Sequence, residues 1–398
     1  MWAHDTYQTY ITYSSLSSEL RPARSLEFLP VGVDLIPTMA GVVTTTLPLR
    51  LVVAVLLAFL ATTASASAPA KSNMSSSSSC RRLFSFGDSL IDTGNFIHYS
   101  KAPGSVSRSP YGETFFGRPT GRWSDGRLIV DFIVERLGFP YWPAYLQAKS
   151  RATKGDFRYG ANFAVASGTA LNQLLFRKKH LNVDQITPYS LGIQIGWFKK
   201  VLAAIASTDE QRREIMESSL FLVGEIGAND YNHPFFQNRT LGFVRPLVPR
   251  VIRSIALSVE ALIKLGARNI YVPGIFPMGC VPRYLYFYRG GEPGDYDSAG
   301  CLRWLNGLTA DNNRMLKGRL RELGRAHPGV SITYVDYYNE VLSLITNPAV
   351  NGVAAGTGCT RAAAAVGRTT PTSPSTARTR GWCRARTRPS TCRGTACT

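Results

Sequence analysis

The sequence predicts an α/β fold of three layers, with helices on both faces of a central, mostly parallel, five-stranded sheet. Two observations carry this expectation. Five short apolar stretches, at 83–86, 159–164, 220–223, 270–272 and 332–335, have the length and composition of buried strands. Between them run segments whose apolar residues recur at helical spacing. Strands separated by helices close as right-handed crossovers, which build a parallel sheet covered on both faces.

The elements follow in chain order. The first strand runs directly into Phe86-Gly87-Asp88-Ser89-Leu90. Leu128, Ile129, Phe132, Ile133 and Leu137 then place an apolar stripe on one helix. The second strand leads to Ala166-Ser167-Gly168-Thr169, and the third to Gly224-Glu225-Ile226-Gly227-Ala228-Asn229-Asp230. Helical spacing returns at 251–265, before the fourth strand, and in Leu316, Leu320 and Leu323, before the fifth. Open parallel sheets bind ligands beyond the carboxyl ends of their strands, so chemistry is expected just after each strand.

Composition limits the function classes. The chain has 398 residues, with 45 Lys+Arg against 26 Asp+Glu, a net charge of +19 and 44% hydrophobic residues. That length excludes miniature scaffolds held only by disulfides or metal, and the apolar content excludes a wholly disordered chain. No apolar run reaches the ~20 residues of a membrane-spanning helix, so no transmembrane span is expected. Eight of the arginines lie in 357–398, which has no acidic residue. No nucleic-acid-binding motif is present, so no nucleic-acid partner is expected.

The amino-terminal region reads as an export signal. Arg50, the apolar run 51–61 and Ala64-Ser65-Ala66 supply its charged, apolar and cleavage parts. Met39 offers a start that gives a signal of ordinary length over 39–66. Residues 1–38 are then an unstructured upstream extension, and 67–79 a Ser-rich linker. A secreted, extracellular protein is the expectation. The sequons Asn73-Met74-Ser75 and Asn238-Arg239-Thr240 agree with export and glycosylation. Of seven cysteines, Cys280 and Cys301 flank a Gly- and Asp-rich segment and are the expected disulfide; Cys359, Cys383, Cys392 and Cys397 lie in the tail.

Three residues carry candidate chemistry. Ser89 sits at a strand-to-helix turn, where a hydroxyl is either a helix cap or a nucleophile awaiting a base. Asn229 offers a side-chain amide to a developing oxyanion, or simply makes a turn. Gly168 lets a ligand approach a backbone N–H closely, and again a turn is the simpler alternative. Each is weak alone; three in order on one sheet edge reinforce one another.

The phrases around them resemble the plant GDSL esterase/lipase family, a branch of the SGNH hydrolases with a flavodoxin-like fold. The likeness runs from Leu83 to about Pro348. It includes Pro110-Tyr111-Gly112-Glu113-Thr114-Phe115-Phe116, Gly121-Arg122-Trp123-Ser124-Asp125-Gly126-Arg127, Gly160-Ala161-Asn162-Phe163-Ala164 and Val272-Pro273-Gly274-Ile275-Phe276-Pro277-Met278-Gly279-Cys280. It implies ester hydrolysis through a covalent acyl-enzyme, on a small-molecule ester or lipid, with no metal and no organic cofactor. Ser89 is then the nucleophile. Its own N–H, the Gly168 N–H and the Asn229 amide are the oxyanion donors. The Gly-x-Ser-x-Gly elbow of α/β-hydrolases does not occur around Ser89. Tyr141, Trp142, Tyr145 and Phe163 are candidates either for an acyl site or for the core.

The sequence departs from that family at its carboxyl end. The family's base and orienting acid come from an Asp-x-x-His phrase. Here no His follows His327 and no Asp follows Asp336. Where the phrase is expected stands the Arg/Thr/Ala-rich tail 357–398, with no core-forming pattern. That reads as a disordered tail, and as a reading-frame shift near 350–358, leaving a hydrolase domain over 80–356 incomplete at its end. Asp230-Tyr231-Asn232-His233 is a candidate replacement base. His98, His180 and His327 read as surface or helix-end residues. A pseudoenzyme that binds esters or sugars without turnover, and a truncated product without function, are the competing readings.

Overall fold

The structure is a computed structural model and describes residues 80–141, 144–151, 157–289 and 291–351. The expected extension, signal, linker and Arg-rich tail lie outside the described residues, as do Trp142 and His4. Strands β1 (Arg82–Phe86), β2 (Gly160–Asn162), β3 (Ser219–Val223), β4 (Asn269–Pro273) and β5 (Ser331–Val335) form one sheet in the order β2-β1-β3-β4-β5. Every pairing is parallel. β2 is shorter than the apolar run suggests. Past it, the N–H groups of Phe163 and Val165 still reach the Ser85 and Gly87 carbonyls, at 2.8 and 3.1 Å. Because β1 neighbours both β2 and β3, the order reverses there, and the turns after these three strands meet at a switch point.

The helices that cover the sheet or position the site are α1 (Asn95–Tyr99), α2 (Ile129–Arg136), α3 (Leu191–Ile205), α4 (Ala228–Phe235), α5 (Val248–Lys264) and α6 (Arg303–Ala326). Partners across a parallel pair point to one face. Phe84, Phe221 and Ile270 form such a row, all fully buried, with Phe84 and Phe221 rings 5.6 Å apart. Phe198 and Val201 of α3, Val251 and Ile255 of α5, and Leu316 and Leu320 of α6 belong to the same core. On the other face, Leu83 and Leu222 pack with Val130 and Val134 of α2. Tyr271, beside Leu222 on that face, stays 40% exposed. The three-layer expectation holds.

Local chemistry explains the helix starts. α5 begins ahead of the periodic stretch because Pro249 suits a first helical turn, where its missing N–H costs nothing. The Asp131 carboxylate accepts the Leu128 N–H at 2.8 Å and caps α2. The same carboxylate takes a two-pronged bond from Arg122, at 2.8 and 2.9 Å, with both residues buried. Cys280 and Cys301 are joined by a disulfide, as the sequence leads one to expect. It ties the loop after β4 to the segment that leads into α6. No helix among the described residues is long and apolar enough to cross a membrane.

Candidate active site

The turn after β1 is fastened from two sides. Gln194, fully buried on α3, accepts the Gly87 N–H and donates to the Gly87 carbonyl, each at 2.8 Å. From the β3 side, the Glu225 carbonyl accepts the Asp88 N–H at 2.9 Å. Ser89 therefore leaves the sheet edge from a fixed backbone, with 5% of its surface exposed. Asp92 extends the clamp. Its carboxylate accepts the N–H groups of Gly94, Asn95 and Phe96 at the start of α1, and that of Ala166 after β2.

The turn after β2 needs a glycine at 168. A Cβ there would stand 2.7 Å from the Val165 carbonyl oxygen and 2.8 Å from that of Gly87. In this structure the Gly168 N–H closes a turn onto the Val165 carbonyl at 2.9 Å. It must exchange that oxygen for a substrate's to act as a donor.

One helix grips this turn with three side chains. α4 starts after Gly227, whose φ of 107° suits a glycine. The Asn229 amide donates to the Gly168 carbonyl at 3.0 Å and lies 3.4 Å from the Asp88 carboxylate. Asp230 accepts the N–H groups of Ala170 and Leu171 at 2.8 and 2.9 Å. His233, one helical turn past Asn229, places Nε2 3.1 Å from the Ser167 hydroxyl. The Asn232 side-chain amide donates to Oδ1 of Asn229 at 3.0 Å, which sets the direction of the Asn229 amide. Ser89, Gly168 and Asn229 thus come from three strand ends to one locus.

The locus is electrically unusual. Burial pushes Asp88 up to about 7, helped by Asp230 and Asp92, while the Leu90 N–H opposes. Burial raises Asp230 to about 7 and Asp92 to about 6, against the backbone N–H groups they accept. Glu225 goes furthest. Burial, then the neighbouring Asp88, drives it well above the usual carboxylate range, and neither of its oxygens has a hydrogen-bond partner among the described residues. Glu225, Asp88 and Leu90 line a small cavity of about 30 Å³ with Asn232, Ile275 and Tyr284.

The Ser167 hydroxyl directs its proton to the Gln185 carbonyl, so His233 meets the oxygen of Ser167 rather than that of Ser89. Burial also holds His233 down to about 4 and keeps the ring neutral. His98 and His180 are exposed, and His327 caps the end of α6. Of the aromatic candidates, Tyr145 and Phe163 are core, and Tyr141 lies 39% exposed near Phe115 and Phe116. Phe96, Tyr99 and Trp123, not singled out from the sequence, line a pocket of about 240 Å³ that reaches Ser167. Gln194, Asp92 and Asn232 were likewise invisible as site residues, since their partners are backbone atoms or amides distant in sequence. No group of three or more His, Cys, Asp or Glu is placed to hold a metal ion among the described residues.

A parallel sheet that brings a Gly-Asp-Ser turn, a Ser-Gly turn and a Gly-Ala-Asn-Asp turn to one edge has the architecture of an SGNH-type hydrolase. Comparison with known proteins agrees. A family described as GDSL-like Lipase/Acylhydrolase matches residues 83–354. Sinapine esterase of Brassica napus is 43% identical over 285 residues, covering 70% of this chain and 72% of that protein. A GDSL esterase/lipase of Arabidopsis thaliana is 43% identical over 286 residues, covering 70% and 71%. The chain belongs to the GDSL lipase/acylhydrolase family and is by family a carboxylic ester hydrolase.

Proposed function

We propose that Ser89 attacks the carbonyl carbon of a small-molecule ester. In this reading an acyl-Ser89 intermediate forms as the alcohol departs with the serine proton. Water then releases the acid and restores the hydroxyl. The Ser89 N–H, the Gly168 N–H and the Asn229 amide stabilise the oxyanion, where a lost donor costs about 3 kcal/mol of barrier. The observation that supports this is the Asn229 amide, 3.0 Å from the Gly168 carbonyl and 3.4 Å from the carboxylate of Asp88, the residue before Ser89.

The base is the weak point of the chain as written. No His follows His327 in the 398 residues, and His233 is engaged with Ser167. Loss of a triad member costs on the order of 10⁴ in rate, and oxyanion stabilisation supplies the remainder. The engagement of His233 with Ser167 favours a second reading, ligand binding without turnover. Export is part of the first proposal. It rests on the signal-like segment ahead of residue 67 and on the sequon at Asn238, which is exposed.

Hydrolysis of a chromogenic acetyl ester tests the reaction. The expected result is slow turnover by the purified chain, abolished in Ser89→Ala and raised by installing an Asp-x-x-His phrase after β5. Equal rates for the folded parent, Ser89→Ala and the repaired chain would refute it.

A further inference from the structure

We infer that Asp88 and Glu225 act as a carboxyl pair that moves the proton of the reaction at Ser89, joined by one water in the small cavity that both line. This rests on the ester-cleaving reading of Ser89. Asp88 directly precedes Ser89, and its carboxylate lies 3.4 Å from the Asn229 amide, so it stands among the oxyanion donors.

Two backbone bonds fix the meeting of the pair. The Gly224 N–H donates to the Phe86 carbonyl at 3.0 Å, and the Asp88 N–H donates to the Glu225 carbonyl at 2.9 Å. Both side chains then line one cavity of about 30 Å³, with Leu90, Ile275, Met278 and Val281 among its apolar walls. That volume holds one water. Glu225 is 5% exposed, and neither of its carboxyl oxygens has a hydrogen-bond partner among the described residues, so both can hold that water. A buried polar group without a partner is rare in folded proteins and calls for a use, either a bound water or chemistry.

Two carboxyls in one apolar cavity cannot both ionise cheaply, so the pair shares a proton near neutral pH. The charged and titratable groups that bear on it come from the surrounding elements. Asp230 of α4 and Asp92, ahead of α1, act on Asp88, while Tyr337, just after β5, and Asp88 itself neighbour Glu225. Burial and these neighbours place Asp88 at about 7 and Glu225 well above its usual range, so Asp88 is the acceptor and Glu225 the donor. As the Ser89 oxygen bonds to the acyl carbon, its proton passes to the Asp88 carboxylate. As the bond from that carbon to the alcohol oxygen breaks, Glu225 gives its proton to the departing oxygen through the cavity water. The pair keeps one proton, now on Asp88. When water attacks the acyl-Ser89 carbon, its proton goes to Glu225, Asp88 returns its own to the serine oxygen, and the acid leaves. No histidine takes part.

Hydrolysis of two acetyl esters by the folded full chain tests the pair. 4-Nitrophenolate leaves without a proton, whereas the phenolate of phenyl acetate is the stronger base and gains from an acid. Asp88→Asn should slow both esters by at least about tenfold. Glu225→Gln should slow phenyl acetate about tenfold more than 4-nitrophenyl acetate, a split that a structural role does not produce. The double variant should be about as slow as Asp88→Asn alone, because groups acting as a unit are not additive. Melting temperatures report whether each variant is folded, and Glu225→Gln keeps the test open if Asp88→Asn is not. Equal slowing of both esters in Glu225→Gln, unchanged rates in the folded carboxyl variants, or no turnover by the folded parent would each overturn the pair. The two readings fail separately. Turnover lost in Ser89→Ala and untouched in the carboxyl variants leaves the nucleophile standing and removes the pair; turnover undiminished in Ser89→Ala removes the nucleophile, and the pair as its proton carrier with it.

Discussion

Replacing Glu225 by Gln is expected to stabilise the protein progressively as pH rises. Glu225 is 5% exposed, has no partner for either carboxyl oxygen among the described residues, and shares a cavity with Asp88. Its folded pKa is raised far above the unfolded value of 4.5, chiefly by burial. In that case the folded chain holds a proton that the unfolded chain releases. Stability is then full below the unfolded value and falls as pH climbs toward the folded one. The linkage slope is about 1.4 kcal/mol per pH unit, so moving from about pH 5 toward neutral costs on the order of a few kcal/mol while the proton is retained. Gln has nearly the same shape and no proton to lose, so Glu225→Gln removes this slope. Urea unfolding of both proteins across that pH range measures it directly. The curves should coincide near pH 5 and diverge above it, with the variant melting several degrees higher at neutral pH, at about 2–4 °C per kcal/mol for a domain of this size. Parallel curves would show that Glu225 is ionised or solvated in the folded protein, and the reasoning from burial would be wrong.

Three other outcomes follow from the same geometry. Asp230→Ala leaves the buried Ala170 and Leu171 N–H groups without acceptors, at about 1–3 kcal/mol each, and chemical denaturation should show the loss. Asp131→Ala strands the Arg122 guanidinium in the interior and should cost about 3–5 kcal/mol, while Arg122→Met with Asp131→Leu should recover much of it in a double-mutant comparison. His233 is held down to about 4 from 6.5, so its contribution is present above 6.5 and is lost as pH falls through 4. In His233→Gln the acid loss of stability should flatten over that window, as read by melting temperature against pH.

The five strands were legible because each is a short apolar run between helical segments, and because Phe84, Phe221 and Ile270 bury fully as one row. Ser89, Gly168 and Asn229 drew attention in the segments that follow β1, β2 and β3, and Asn229 lies in the first turn of α4. What the sequence hid was the means of holding them. Gln194 bonds Gly87 across 107 positions, and Asp230 bonds Ala170 across 60. Neither an amide nor a carboxylate announces a distant backbone partner. The Phe96, Tyr99 and Trp123 pocket was hidden likewise, since its walls come from α1 and from loops distant in sequence. Tyr145 and Phe163 drew attention as aromatics, and burial places them in the core.

The account turns on which serine reacts, and two are candidates: Ser89, next to Asp88 whose carboxylate lies 3.4 Å from the Asn229 amide, and Ser167 with His233 at 3.1 Å. Treating the folded chain with an activated phosphonate ester and locating the adduct by mass spectrometry decides between them. The account predicts phosphonylation at Ser89, lost in Ser89→Ala and slowed in Asn229→Ala. An adduct on Ser167, undiminished when Ser89 is replaced, would contradict it.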